Sequence, residues 1–306
     1  MIVEVWAMIG ASLAVLVAGL FLVRERFHAA SGVDRILVLG PVFEAVALAA
    51  FSAEHFTAAR DLMTVVPRWM PAPLFWTYFV GAALLSAAIS FIAWRHVRWS
   101  AALLALLFLI IVATIDLPKL PSHANERLFW TLTVRELAFA SGAMVLAGSV
   151  RPRESLPGMV LMRIGRAFIA PIMVFYAVEH FLFPRYVPGV PLEKLAPTYI
   201  PAPTLISYLV GIVLLLAGVG LLIRPIVRIA AASSGAVLLL LTAFFYIPIA
   251  VAEFHSTLAL EGLNYVFDTL LFASTALLAG LGAEQSLKRE TAESSETPNR
   301  HTPATA

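Results

Sequence analysis

With 306 residues, 60% of them hydrophobic and only 13% charged, at a mean hydropathy of +0.89, the chain has too little polar surface to cover a soluble globule. A net charge of +2 gives no ground for a nucleic-acid partner, and the absence of cysteine removes disulfides, thiolate metal sites and dithiol relays. What remains is an integral membrane protein whose first partner is the lipid bilayer.

About 20 apolar residues carry a helix across roughly 30 Å of hydrocarbon. In chain order the runs Ile2–Val23, Ile36–Ala53, Leu74–Trp94, Ala101–Ile115, Leu128–Val150, Met159–Phe183, Thr204–Ile223, Ile229–Val251 and Gly262–Leu281 predict about nine spans. They are continuously apolar and do not alternate, so they read as helices and not as strands of a barrel. The fourth is short and needs its flanks to complete a crossing. In the first, Glu4 leads and Arg24 and Arg26 follow, the reverse of the charge order of a cleavable signal, so it reads as a retained anchor. Alternate connections carry fourteen Lys and Arg on one face against six on the other. The positive-inside bias then puts the N-terminus outside and the C-terminus in the cytoplasm, in a cell's inner (plasma) membrane.

A phrase repeats at an offset of 130: Pro67-Arg68-Trp69-Met70-Pro71-Ala72-Pro73 and Pro197-Thr198-Tyr199-Ile200-Pro201-Ala202-Pro203. Glu54-His55-Phe56 and Glu179-His180-Phe181 precede the copies; Tyr78 and Gly81, then Tyr208 and Gly211, follow them. Later, Phe139-Ala140-Ser141 matches Phe272-Ala273-Ser274 at an offset of 133, so the outer loops drift while the helices keep register. Such self-similarity marks a duplicated unit. The expected organisation is an N-terminal helix and linker (1–30), a first four-span repeat (31–150), a second (157–283) and a polar, disordered cytoplasmic tail (284–306). An even span number makes the two repeats parallel. The fold class is therefore all-α: two parallel four-helix bundles plus one added N-terminal transmembrane helix.

Polar residues gather where these helices meet the outer face. The first repeat supplies Glu54, His55, Asp116, His123, Arg135 and Glu136; the second supplies Glu179, His180, Glu253, His255 and Asp268. Glu44 stands apart in mid-span, where a carboxylate is costly unless paired or protonated. Three readings fit: interfacial residues that tie helix ends together, a haem or metal site, or a quinone or lipid-headgroup pocket in which His and acids relay protons. Within these two sets no helix carries an HxxxH or ExxH spacing, and no metal ligand set is assigned. There is also no nucleotide loop, GxSxG or HExxH.

His55-Phe56, Val66-Pro67-Arg68-Trp69-Met70-Pro71-Ala72-Pro73, Gly81, Arg98, Arg135-Glu136-Leu137 and Ser141-Gly142-Ala143 resemble the DoxX-like superfamily of membrane proteins. The second repeat keeps His180-Phe181, the Pro-Ala-Pro turn, Gly211 and Arg228, has Tyr199 for tryptophan, and has Asp268 near the place of the Arg-Glu pair. The resemblance implies four-helix units, some of them subunits of quinone-linked oxidoreductases such as thiosulfate:quinone oxidoreductase. It would make this chain a quinone-linked redox subunit with a partner protein. Relatives that handle disulfides depend on cysteines this chain lacks. The alternative is a non-enzymatic scaffold or small-solute transporter, in which Glu44 matters most. The residues themselves leave open whether the chain is an enzyme.

Overall fold

The computed structural model describes residues 2–150 and 155–282. The proposed tail and Arg151–Glu154 of the inter-repeat linker lie outside the described residues. The described chain is built of helices, and its one β-bridge joins Tyr186 to Leu195.

Helix α1 spans Ile2–Ala29; a short turn, Asp34–Leu37, leads into α2, Gly40–Thr57. There follow α3 (Pro73–Ala93), α4 (Val97–Ile111), α5 (Arg127–Ser149), α6 (Leu156–Leu182), α7 (Pro203–Gly220), α8 (Val227–Leu241), α9 (Ile247–Glu253) and α10 (Ala259–Ala279). Among the described residues, eight segments are long and apolar enough to cross a membrane. The fifth expected span exists as α5 but is not among the eight, because Arg127, Arg135 and Glu136 dilute its hydropathy. The short fourth run gains length from both flanks and becomes part of a 26-residue apolar segment, Val97–Ser122.

The matched phrases fold alike. Ala72 and Ala202 each take the left-handed conformation, at φ 53° and 45°, and Pro73 and Pro203 open the helices that follow. Proline there loses no hydrogen bond, since the first N–H groups of a helix are unpaired anyway. Phe56 stacks on Tyr78 and Phe181 tilts against Tyr208, with ring centroids 6.0 and 6.2 Å apart. Gly81 and Gly211 let those same rings approach the helix backbone. The aromatic–glycine signature is thus the docking point of α2 on α3 and of α6 on α7. One turn of π-helix ends α4 at Val112–Asp116, and another ends α8 at Thr242–Tyr246. Their last residues are Asp116 and Tyr246.

The central helix is α10: 89% of its apolar stretch is buried, against 22% for α1. It packs against α2, α5 and α8, while α5 packs against α6 and α4. Helices α2 and α5 therefore each pack on helices that follow residue 155. Small residues permit the closest crossing, as is usual between membrane helices. A Cβ on Gly165 would lie 2.6 Å from Ser141 O, and one on Gly148 2.6 Å from Gly158 O. Gly165→Val is expected to destabilise by about 1–3 kcal/mol through overpacking of backbone that cannot yield. Thermal melting in detergent checks this, with Gly10→Val as the open-space control.

Candidate functional site

The polar residues meet at the end of the bundle where α2, α6 and α9 finish and α5 and α10 begin. Arg135 sits about 12 Å inside α5, counted at 1.5 Å per residue. Its Nη1 donates to Asp268 Oδ2 at 2.5 Å and its Nη2 to Glu136 Oε1 at 2.9 Å. Arg135 and Asp268 are 133 residues apart, the same offset that relates Phe139 to Phe272, so each lies four residues before a matched Phe-Ala-Ser triplet. Asp116, delivered by its π turn, lies within electrostatic range of both Arg135 and Glu136.

The acids at the ends of α2 and α6 are also tied to helices distant in sequence. Glu54 Oε1 accepts from Asn264 Nδ2 of α10 at 2.9 Å, and Glu179 Oε2 accepts from Arg127 Nη1 of α5 at 3.2 Å. Arg127 does more: its Nη1 also donates to Leu192 O (2.9 Å) and its Nη2 to Glu193 Oε2 (3.0 Å). Phe183 and Tyr186 flank its guanidinium at 4.6 and 4.4 Å, in cation–π range.

The loop 183–202, which holds the five extra residues of the second copy, folds into the bundle end. Val187, Val190 and Leu192 are fully buried. Chain ordering is compensated by hydrogen bonds to otherwise orphaned carbonyls. Tyr246 Oη donates to Val187 O (3.2 Å) and Thr269 Oγ1 to Val190 O (2.6 Å). At its apex Gly189 has φ +137°, a conformation side chains resist, and a Cβ there would lie 2.8 Å from the Tyr246 ring. Thr131 Oγ1 donates to Glu193 Oε1 at 2.8 Å, and Lys194 Nζ reaches Glu253 Oε1 at 2.6 Å.

This loop decides what the second histidine does. Gly189 N–H donates to His180 Nε2 at 3.0 Å, so that nitrogen is the acceptor and Nδ1 carries the hydrogen given to Tyr176 O at 2.6 Å. His180 is fully buried with both nitrogens used, which makes it a structural crosslink. His55 makes the matching bond to Phe51 O at 2.8 Å, but its Nε2 meets no partner among the described residues. His180→Ala is expected to cost about 1–3 kcal/mol by stranding a buried N–H and a carbonyl. His55→Ala should cost less, and the ratio of the two is read from paired melting curves.

Burial raises the carboxyl pKa of Glu193 above the usual range, against the pull of the Thr131 hydroxyl and Arg127. A carboxyl raised on folding contributes stability below its unfolded value of about 4.3, and that contribution is lost as pH rises through the folded value. Glu193→Gln is therefore expected to flatten the fall in melting temperature across that window, relative to wild type.

Between α5, α10 and the loop lies a cleft of about 440 Å³. Leu128, Leu132, Leu260 and Pro191 form its apolar wall; Arg135, Asp268, Glu193, Asn264 and Tyr265 supply polar groups. Two of these lining residues carry a polar atom that is buried without a partner among the described residues: Arg135 Nε, a donor, and Asn264 Oδ1, an acceptor.

Not every expected residue comes here. Glu253 reaches Lys194 at the rim, while His255 lies with Trp6 and Phe254 beside α1, and His123 stacks on Phe129 at 3.9 Å. Glu44 sits deep between α2 and α10, bonded to the Ser274 hydroxyl. Among the described residues no group of three or more His, Asp or Glu side chains is placed to hold a metal. Arg127, Glu193, Lys194 and Asn264 were not candidates from sequence; the five-residue insertion within 182–196 was the one signal that could have directed attention to them.

Fold and site define an all-α polytopic membrane protein with a polar cleft at one end of its helices. Compared with family models, curated proteins and solved structures, the chain matches none.

Proposed function

We propose that the cleft binds the head of a quinone and that the chain serves as the quinone-binding subunit of a membrane oxidoreductase. The carrying observation is that two residues lining the cleft each hold an unpartnered buried polar atom, Arg135 Nε and Asn264 Oδ1. A quinone carbonyl accepts from the first, and the hydroxyl of the reduced quinol donates to the second. Two electrons from a partner protein and two protons convert one form into the other; Glu193 and Asp268 are the acids at hand for proton transfer. The leucine wall suits the ring and the start of an apolar tail. Duplication of a DoxX-like unit, with the N-terminus outside and the C-terminus in the cytoplasm, completes this reading and places the cleft at the outer face of the plasma membrane.

The test is mass spectrometry of an organic extract of the purified protein. Co-purified quinone is expected, lost in Leu132→Trp at unchanged melting temperature. Folded wild-type protein without quinone contradicts the reading. A scaffold or solute transporter is the second reading, favoured by the use of His180 and Glu179 as crosslinks.

A further inference from the structure

We propose that Glu44, Ser274 and Thr275 form an internal site for one monovalent cation, a proton or a sodium ion, in the interior of the membrane-spanning body. Glu44 lies near the middle of the 24-residue apolar segment Asp34–Thr57 and is 0% exposed. Its Oε2 contacts the Ser274 hydroxyl of α10, while its Oε1 is buried without a partner. The next residue, Thr275, is also 0% exposed, and its Oγ1 is likewise buried and unpartnered. Gly142 of α5 closes the other side of Thr275, where a Cβ would stand 2.9 Å from Oγ1.

No charged side chain answers this carboxylate. Its one side-chain electrostatic partner among the described residues is Ser274. The charged groups of the surrounding helices are committed elsewhere. On α5 and α10, Arg135 holds Glu136 and Asp268; on α2, Glu54 takes Asn264. Arg166 of α6 donates to Ala279 O and Leu281 O, and Arg228 of α8 pairs with Asp34. On α2, His55 is turned to Phe51 O a turn below the outer end; α3 carries no charged residue, and those of α1, Glu4, Arg24, Glu25 and Arg26, lie near its ends. A lone carboxylate in hydrocarbon is expensive, and unmet oxygens add to the cost. One positive charge held by carboxylate and hydroxyl oxygens removes both deficits. A divalent ion would leave an excess charge in the same apolar surroundings. The site does not touch the cleft and stands whether or not the cleft takes a quinone.

The experiment treats the full-length protein with dicyclohexylcarbodiimide, an apolar reagent. A carboxylic acid O–H adds across one C=N bond of the reagent, and the acyl group then migrates to nitrogen, giving a stable adduct with nothing released. Peptide mass spectrometry should find the adduct on Glu44 and none at that position in Glu44→Gln. Slowing by sodium chloride relative to choline chloride assigns sodium. Insensitivity to sodium with a rate that falls as pH rises assigns the proton. No adduct on wild-type Glu44 at any pH, or labelling indifferent to both sodium and pH, overturns the proposal. Thr275→Val, nearly equal in volume, should shift the sodium concentration at half-protection, or the proton activity at half-maximal labelling, about tenfold, one lost contact of about 1.4 kcal/mol. An unmoved midpoint overturns the three-residue site.

Discussion

Arg135→Met is expected to destabilise the protein by about 3–5 kcal/mol, the largest effect of any single substitution considered. Asp268 is only 6% exposed, and Arg135 is the cation that faces it at 2.5 Å. Removing that cation leaves Asp268 and Glu136 as neighbouring acids without their paired cation, and leaves the nearby Asp116 with Lys119 alone. Because the damage is uncompensated charge and not lost packing, the double variant Arg135→Met/Asp268→Asn should recover a large part of the loss. Denaturation in detergent measures both. Equal destabilisation in the single and double variants would show that uncompensated charge on Asp268 is not the cause of the loss.

Arg127→Ala is expected to cost about 2–4 kcal/mol and to open the loop 183–202 to protease. One guanidinium serves Glu179, Glu193 and Leu192 O, so its loss strands two acids and a carbonyl together. Lysine should rescue only in part, since an ammonium is a point donor and cannot span the forked geometry. Limited proteolysis locates the cut: cleavage within 183–202 supports the role, and an unchanged pattern contradicts it.

The helical architecture was legible because a bilayer imposes one simple rule, a long apolar run per span. The position of the acids at helix ends was legible for the same reason. Partners were not. Matching Arg135 to the zone of Asp268 says they are equivalent, but equivalence does not say that they touch; only the packing of α5 against α10 does. Likewise Glu54-His55 and Glu179-His180 look identical in sequence, yet the folded loop consumes His180 and leaves one nitrogen of His55 open. That loop was illegible because Val187, Val190 and Leu192 are too few to register as a span. Its burial depends on hydroxyls from Tyr246 and Thr269, far along the chain. The Pro-Ala-Pro and Tyr-Gly signatures, the most visible features of the sequence, turn out to be joints between helices, and the cleft lies on other residues.

The most direct measurement is equilibrium titration of the full-length protein in lipid nanodiscs with a short-tailed benzoquinone. One saturable site is expected, weakened about tenfold or more in Leu132→Trp, equivalent to at least about 1.4 kcal/mol. Non-saturable partitioning into the lipid, or the same isotherm for wild type and Leu132→Trp, would contradict the assignment of the cleft.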